Sequence, residues 1–190
     1  MEDLKNQQQR TMMPPKRNGS PDDFYTPDYA IAPLIPYLKE DWKIWECASG
    51  TGSIVNFLSQ KGFNIFGTDK KEGFDFLNSD RNDFDCIITN PPFSLKDKFL
   101  EKCFEIGKPF ALLLPITALE GIKRQEMYKK NGIKIILFNR RINYKGHNSG
   151  SCWFSSAWFC WGLNLPEQLN FVELNRGKLI VKNETSWNIR

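Results

Sequence analysis

The chain has 190 residues, of which 26 are basic and 22 acidic, giving a net charge of +4 at pH 7. No apolar run approaches the roughly 20 residues that a membrane helix needs, so we expect no membrane span. With His147 as the single histidine, a histidine-based metal site and a serine–histidine triad are nearly excluded. The five cysteines are scattered without a C-x-x-C pair, which favours reduced thiols in a cytoplasmic protein without a metal site.

Residues 1–23 are polar with few apolar anchors, which predicts a flexible arm. The pair Thr26-Pro27 is typical of a helix start, with Thr26 as the N-cap and Pro27 at the first helical position. Apolar residues follow at helical spacing, although Pro33 and Pro36 must distort the helix that they form.

From Lys43 onward, short apolar runs alternate with helical patterns. This alternation predicts an α/β domain over residues 24–162, with a mostly parallel, doubly wound sheet that is covered on both faces. The C-terminal extension, residues 163–190, contains Asn175-Arg176-Gly177, which predicts a hairpin turn within 170–182. The predicted strands are 43–48, 64–69, 85–89, 110–114, 133–138 and 157–161, and the predicted helices are 53–61, 95–106 and 119–130.

The segment Glu46 to Gly52, ECASGTG, joins the first predicted strand to a helix. Its glycines let the backbone approach a ligand closely, and the helix N-terminus offers free N–H groups. Asp69, at the end of the second predicted strand, can accept both ribose hydroxyl protons of an adenosine. Ile54 and Val55 stand where the dinucleotide fingerprint would have its third glycine, so no pyrophosphate cradle is evident. This favours S-adenosylmethionine over a nicotinamide cofactor.

The most specific segment is Asn90-Pro91-Pro92-Phe93, directly after a buried strand. Both prolines fix φ, so the turn is stiff and holds its carbonyl groups in place. The amide oxygen of Asn90 and the carbonyl of Pro91 can together accept the two hydrogens of one amino group. This localises the nitrogen lone pair for attack on a methyl sulfonium. Phe93 offers a flat face for a base taken out of its helix.

Together these segments resemble N6-adenine DNA methyltransferases whose cofactor motifs precede the catalytic one. The resemblance covers about residues 24–161, and Asn90 to Phe93 match the catalytic tetrapeptide. It implies a Rossmann-like class I methyltransferase fold with an antiparallel final strand, and S-adenosylmethionine as cofactor. Asp75 matches the aspartate that holds the cofactor's adenine amine, and Phe76 matches the ring that packs on that adenine. The implied cofactor contacts are Tyr25, Thr26, Pro27, Glu46, Ala48, Ser49, Gly50, Gly52, Asp69, Asp75, Phe76 and Asn90.

A basic stretch between Gly121 and Gly150 is a candidate surface for nucleic-acid phosphates. The side chains that we expect to contact the phosphates are Lys123, Arg124, Arg140 and Arg141. Tyr144 lies where relatives place a second ring against the extruded base, although an ordinary buried aromatic residue fits the pattern equally well. Relatives usually carry a separate target-recognition domain, and none fits here, so we expect short or relaxed sequence specificity.

Three other functions remain open at this stage. An RNA adenine or guanine amino-methyltransferase uses the same tetrapeptide, and the basic stretch suits either polymer, although the resemblance favours DNA. A protein glutamine methyltransferase grips an amide in the same way but usually has a preceding helical domain. A non-catalytic nucleic-acid-binding module can keep the fold without turnover. We expect an intracellular monomer or weak dimer, and a phage or mobile-element protein acting in a bacterial host fits this expectation.

Overall fold

The computed structural model describes residues 25–144 and 154–175. Seven strands form one sheet: β1 (Lys43–Glu46), β2 (Asn64–Gly67), β3 (Cys86–Thr89), β4 (Phe110–Pro115), β5 (Lys134–Phe138), β6 (Ser156–Trp161) and β7 (Leu169–Val172). The helices are α1 (Asp28–Ile31), α2 (Ser53–Gln60), α3 (Lys96–Ile106) and α4 (Ile122–Asn131). Every strand predicted from the apolar runs is present within one or two residues, and most of these runs are buried in the sheet, although β2 is an edge strand without a buried residue.

The strand order is β2-β1-β3-β4-β6-β5-β7. Strands β1 to β4 pair in parallel, and β6 lies antiparallel between β4 and β5. This is the class I methyltransferase fold, so the predicted fold class is confirmed, with 157–161 in the antiparallel strand. Because β1 and β3 are neighbours while β2 lies outside β1, the chain reverses its direction of winding there. The carboxyl ends of these three strands therefore form a crevice suited to a ligand.

The two faces of the sheet carry separate cores, because successive strand residues point to opposite sides. Ile44 packs with residues of α1 and α2 on one face, and its neighbour Trp45 packs with residues of α3 on the other. Strand β3 alternates likewise, with Ile88 on the first face and Ile87 on the second. Burial of both faces explains why the central strands read as continuous apolar runs.

The predicted N-cap at Thr26 is wrong. Pro27 is the residue that caps α1, with φ −75° and ψ 150°, and no side chain caps this helix. After Ile31 the chain tightens into a 3₁₀ turn, Ala32–Tyr37, which contains Pro36. The predicted distortion of this helix by its prolines is therefore present. The hydroxyl of Thr26 is engaged elsewhere, in a contact that belongs to the candidate site.

Strand β7 in the C-terminal extension overlaps the first arm of the predicted hairpin, but its partner is a strand that the prediction did not name. Strand β7 pairs in parallel with β5 and ends the order of strands on that side of the sheet. The predicted turn at 175–177 and the predicted arm at 1–23 lie wholly or mainly outside the described residues, so both stay predictions. Cys47, Cys86, Cys103 and Cys160 are buried free thiols, and Cys152 lies outside the described residues.

Candidate active site

A cavity of about 550 Å³ opens at the carboxyl ends of β1, β2 and β3. Most of the residues that the sequence predicted to bind a cofactor line this cavity. Asn90, the first residue of the catalytic tetrapeptide, lines it too. Pro92 of that tetrapeptide also lines the cavity. The predicted cofactor residues in its wall are Tyr25, Thr26, Glu46, Ala48, Ser49, Gly50, Asp69, Asp75, Phe76 and Asn90.

The glycine loop turns sharply between β1 and α2. Gly50 and Gly52 have φ of 52° and 76°, in the left-handed region that favours glycine. Gly67, at the end of β2, has a different reason to be glycine, since an added Cβ would lie 2.9 Å from the Ser49 Cβ. The loop therefore packs directly on the end of β2, and this contact brings Asp69 beside Gly50.

Glu46, the last residue of β1, supports the loop from beneath. Its side chain is 2% exposed, and its Oε2 accepts a hydrogen bond from the Val55 backbone N–H at 3.1 Å. Burial raises the pKa of the Glu46 carboxyl well above its usual range; the bond from Val55 opposes this rise, and the nearby charge of Asp69 adds to it. Glu46 thus ties the first turn of α2 to β1.

Asp69 joins the two loops that bound the cavity. Its Oδ2 accepts from the Gly50 N–H at 2.8 Å, and its Oδ1 accepts from the Lys71 N–H, also at 2.8 Å. Each carboxylate oxygen has a second lone pair, so both can still accept a ligand hydroxyl. The carboxylate is therefore held in place before any ligand arrives.

Asp75 and Lys70 form an ion pair at the wall of the cavity. The Lys70 Nζ lies 2.9 Å from the Asp75 Oδ2, which also accepts from the Asn78 amide at 3.0 Å. The hydrogen bond from Lys70 is the main reason that the pKa of Asp75 is lowered. The Phe76 side chain beside it is 2% exposed and packs on Phe99, with ring centroids 4.8 Å apart. The cavity therefore has an ionised acid next to an aromatic wall.

Asn90 lies at the end of β3, where the stiff proline turn begins. Its amide nitrogen donates to the Thr26 Oγ1 at 3.1 Å. Pro91 is buried, and Phe93 begins a 3₁₀ turn, Phe93–Leu95, that leads into α3. Phe93 meets Phe154 edge to face, with ring centroids 5.3 Å apart. This contact places an aromatic pair directly after the proline turn.

Tyr144 is a buried residue in this structure. Its ring is 4% exposed and tilted against Phe154, and its hydroxyl lies 2.9 Å from the Ser156 Oγ. The ring offers no open face here, so the observed position fits the interpretation of Tyr144 as an ordinary buried aromatic residue. Phe154 is the ring that lies between Tyr144 and Phe93.

The predicted phosphate-binding side chains differ in their surroundings. Lys123, Arg140 and Arg141 are exposed. Arg124 is 16% exposed in its side chain; it pairs with Asp97 at 2.7 Å and donates to the carbonyls of residues 118 and 120. These bonds fasten the start of α4 to α3. Arg124 is therefore engaged within the protein and does not present a free guanidinium.

Several cavity residues were missed by sequence reasoning. Lys70 and Lys71 follow Asp69 directly, so their place beside the strand end was the available signal. Phe74 and Leu77 flank the Asp75-Phe76 pair in the same way. Pro27 and Gly52, in contrast, were predicted to contact the cofactor and do not line the cavity. Pro27 fixes the start of α1, and Gly52 shapes the glycine loop.

No protein-family model matches the chain, and no curated protein matches its sequence. Solved structures are similar to the chain in fold. The type I restriction-modification system methyltransferase subunit from Streptococcus thermophilus superposes with a TM-score of 0.54 at 15% identity, over 79% of this chain and 47% of that subunit. The chain has a methyltransferase fold. A Vibrio vulnificus protein described as a modification subunit of a type I restriction enzyme gives the same TM-score at 13% identity, over 85% of this chain and 49% of its own. The methyltransferase fold described here thus spans about half the length of either subunit.

Within residues 25–144 and 154–175, no helix is both long and apolar enough to cross a membrane. In the same part of the chain, histidine, cysteine and acidic side chains do not gather in groups of three or more that could hold a metal ion.

Proposed function

We propose that this methyltransferase fold uses S-adenosylmethionine to methylate N6 of adenine in DNA, with the base taken out of the helix. One observation carries the proposal: a single cavity is lined by the glycine loop, by Asp69 and Asp75, and by Asn90. A cofactor site alone would not need the amide of a proline-stiffened turn in its wall. An acceptor site alone would not need two acids from the segment that follows β2.

The cavity suits the cofactor in size and in chemistry. A volume of about 550 Å³ lies within the range of small-molecule sites. Asp69, already held by two backbone N–H groups, would accept the ribose hydroxyls, and Asp75 would accept the adenine amine beside Phe76. Gly50 lets the backbone approach the methionine end closely. When bound, the cofactor supplies an electrophilic methyl group.

The acceptor amine would be held by the tetrapeptide. The amide oxygen of Asn90 and the carbonyl of Pro91 would accept its two hydrogens, which orients the nitrogen lone pair toward the methyl group. Pro92 has no N–H to compete for these oxygens. Phe93 would stack on the extruded base, since aromatic rings provide sequence-tolerant stacking surfaces.

DNA is the favoured polymer for two reasons. The resemblance of the sequence motifs is to DNA enzymes, and the two solved structures compared above are named as parts of restriction systems. The exposed Lys123, Arg140 and Arg141 would meet backbone phosphates.

The test is a transfer assay with methyl-labelled cofactor and matched DNA and RNA of one sequence, followed by nucleoside analysis. The proposal predicts labelled N6-methyladenine in the DNA. Label only in RNA would replace it with the RNA amino-methyltransferase. Label in neither polymer, together with no calorimetric binding of the cofactor, would favour a non-catalytic nucleic-acid-binding module. The matched control is Asn90→Ala, which should bind the cofactor without transferring the methyl group.

A further inference from the structure

The hydroxyl of Thr26 contacts the side chain of Asn90 across 64 positions of the chain. The Asn90 Nδ2 donates to the Thr26 Oγ1 at 3.1 Å, in a partly buried position. Thr26 is 4% exposed, and both residues line the same cavity. A partly buried hydrogen bond between side chains so distant in sequence fixes the relative position of two segments, the start of α1 and the turn after β3.

Thr26 is itself held firmly, because α1 is bonded to the segment that follows β5 and to β6. The Tyr29 hydroxyl accepts from the Asn143 N–H at 2.9 Å and lies 3.3 Å from the carbonyl of the same residue. The Trp158 indole N–H donates to the Ala30 carbonyl at 2.7 Å. Because these bonds hold Tyr29 and Ala30, three and four residues after Thr26, the Thr26 hydroxyl is a fixed point against which an amide can be oriented.

The chemistry of the acceptor site gives this contact a role. A primary amide presents an oxygen at one end and an NH2 group at the other. With its NH2 group on Thr26, the Asn90 amide turns its oxygen away from Thr26. If the amide rotated by half a turn, its own N–H donors would face the N–H donors of the acceptor amine, and no hydrogen bond could form.

We propose that Thr26 is a positioning residue: its hydroxyl holds the Asn90 amide in the orientation that accepts a hydrogen from the acceptor amine. This inference rests on the proposed function. It differs from the role that the sequence resemblance gives Thr26, a contact with the cofactor. The two roles predict different kinetics, because an orienting contact acts on turnover and a cofactor contact acts on cofactor affinity.

The kinetic test compares Thr26→Val, which removes the hydroxyl at nearly constant shape, with Thr26→Ser, which keeps it. Loss of one net hydrogen bond predicts about a fivefold lower kcat for Thr26→Val, with the cofactor Kd within about twofold of wild type. Thr26→Ser should recover most of the kcat. An unchanged kcat, or an effect confined to the cofactor Kd, would overturn the inference. If valine does not fit, Thr26→Ala gives the same comparison.

A matched control is Thr89→Val. Thr89 is fully buried one residue before Asn90, and its hydroxyl makes no hydrogen bond to Asn90. Removal of this hydroxyl should leave kcat within about twofold, because it breaks no bond to the Asn90 amide and its contact with the Cys47 thiol is a weak one. An equal loss of kcat in Thr89→Val and Thr26→Val would show a general packing effect and overturn the positioning role.

A second measurement needs neither cofactor nor turnover. Unfolding equilibria of wild type, Thr26→Val, Asn90→Ala and the double variant form a double-mutant cycle on the free protein. The hydrogen bond predicts a coupling of about fivefold in the unfolding constant. Additive effects would overturn the inference. Should wild type transfer no methyl group to any polymer, the proposed function fails, while the cycle still decides whether Thr26 holds Asn90.

Discussion

Two regions of the domain, the cavity and the basic stretch after Gly121, differ in how far their polar side chains are already hydrogen-bonded within the protein. Around the cavity, Asp69 and Glu46 are bound to backbone N–H groups of the loops they support. In the basic stretch, Arg124 is bound within the protein, while Lys123 and Arg140 are exposed. The cavity is thus a preorganised site, and the basic side is a surface whose charges are divided between internal contacts and solvent.

This difference teaches that a small ligand and a polymer make different demands on a fold. A cofactor site needs fixed donors and acceptors at strand ends, because its ligand must be placed accurately for reaction. Phosphate contacts act through charge and tolerate movement of the side chain. The two regions should therefore respond differently to mutation, with geometry governing the first and ionic strength the second.

The largest expected effect is that of Asn90→Ala. Removal of the amide takes away a hydrogen-bond acceptor that acts on the reacting amine, so we expect turnover to fall by about 100-fold or more, as for loss of one preorganised donor in other enzymes. The cofactor Kd, measured by calorimetry, should change by less than about threefold. Wild-type turnover in this variant would remove Asn90 from the mechanism.

Asp69→Ala should act on the cofactor. Hydrogen bonds to charged groups contribute about 1.5–3 kcal/mol each, so we expect a cofactor Kd about 10- to 100-fold higher. The Gly50 N–H also loses its acceptor, which loosens the glycine loop. The control is Asp80→Ala, at an exposed acid that does not line the cavity. Equal cofactor affinity in the two variants would contradict the assignment.

The role of the basic stretch is tested by the salt dependence of DNA binding. Arg140→Gln with Arg141→Gln should lower the slope of log K against log salt by about two, close to 0.9 per phosphate contact. Arg124→Gln should leave the slope unchanged and lower the free energy of unfolding by about 1–3 kcal/mol, since it removes bonds to Asp97 and to two carbonyls. A slope that responds only to Arg124 would reverse this division.

Lys70→Met should change the pH dependence of cofactor binding. Ionised Asp75 is the proposed acceptor for the adenine amine. The affinity for the cofactor should therefore be full at a pH above the pKa of Asp75 and fall as the pH drops through that pKa. Lys70 is the main cause of the lowered pKa of Asp75, so the wild-type loss should occur below the usual range for aspartate. Without Lys70 the loss should begin at higher pH. Calorimetric titrations from neutral to acidic pH, with Lys98→Met as control, check this shift.

The smallest effect on turnover is expected for Tyr144→Phe. This change removes the hydroxyl that contacts Ser156 in the interior, so the free energy of unfolding should fall by about 1 kcal/mol. Turnover should stay within about twofold, because the ring presents no open face. A large loss of turnover at full stability would show that Tyr144 reaches the base after a rearrangement.

The sequence predicted the elements and the cavity far better than it predicted side-chain partners. Strand β3 and the turn at Asn90 follow from local apolar runs and from proline chemistry. The partners of Thr26 and Arg124 lie 64 and 27 positions away, so no local pattern could choose between a helix cap, a phosphate contact and these bonds. A hairpin arm was predicted from residue 170, but the parallel pairing of β7 with β5 was not, because a strand's partner is set by contacts between segments distant in sequence.

The most direct test of the central claim is a crystal structure with S-adenosylhomocysteine, the product form of the cofactor. The account predicts its ribose on Asp69, its adenine at Asp75 and Phe76, and its sulfur facing Asn90 with no protein group between them. A cofactor bound outside this cavity, or one whose sulfur points away from Asn90, would contradict transfer of a methyl group at this site.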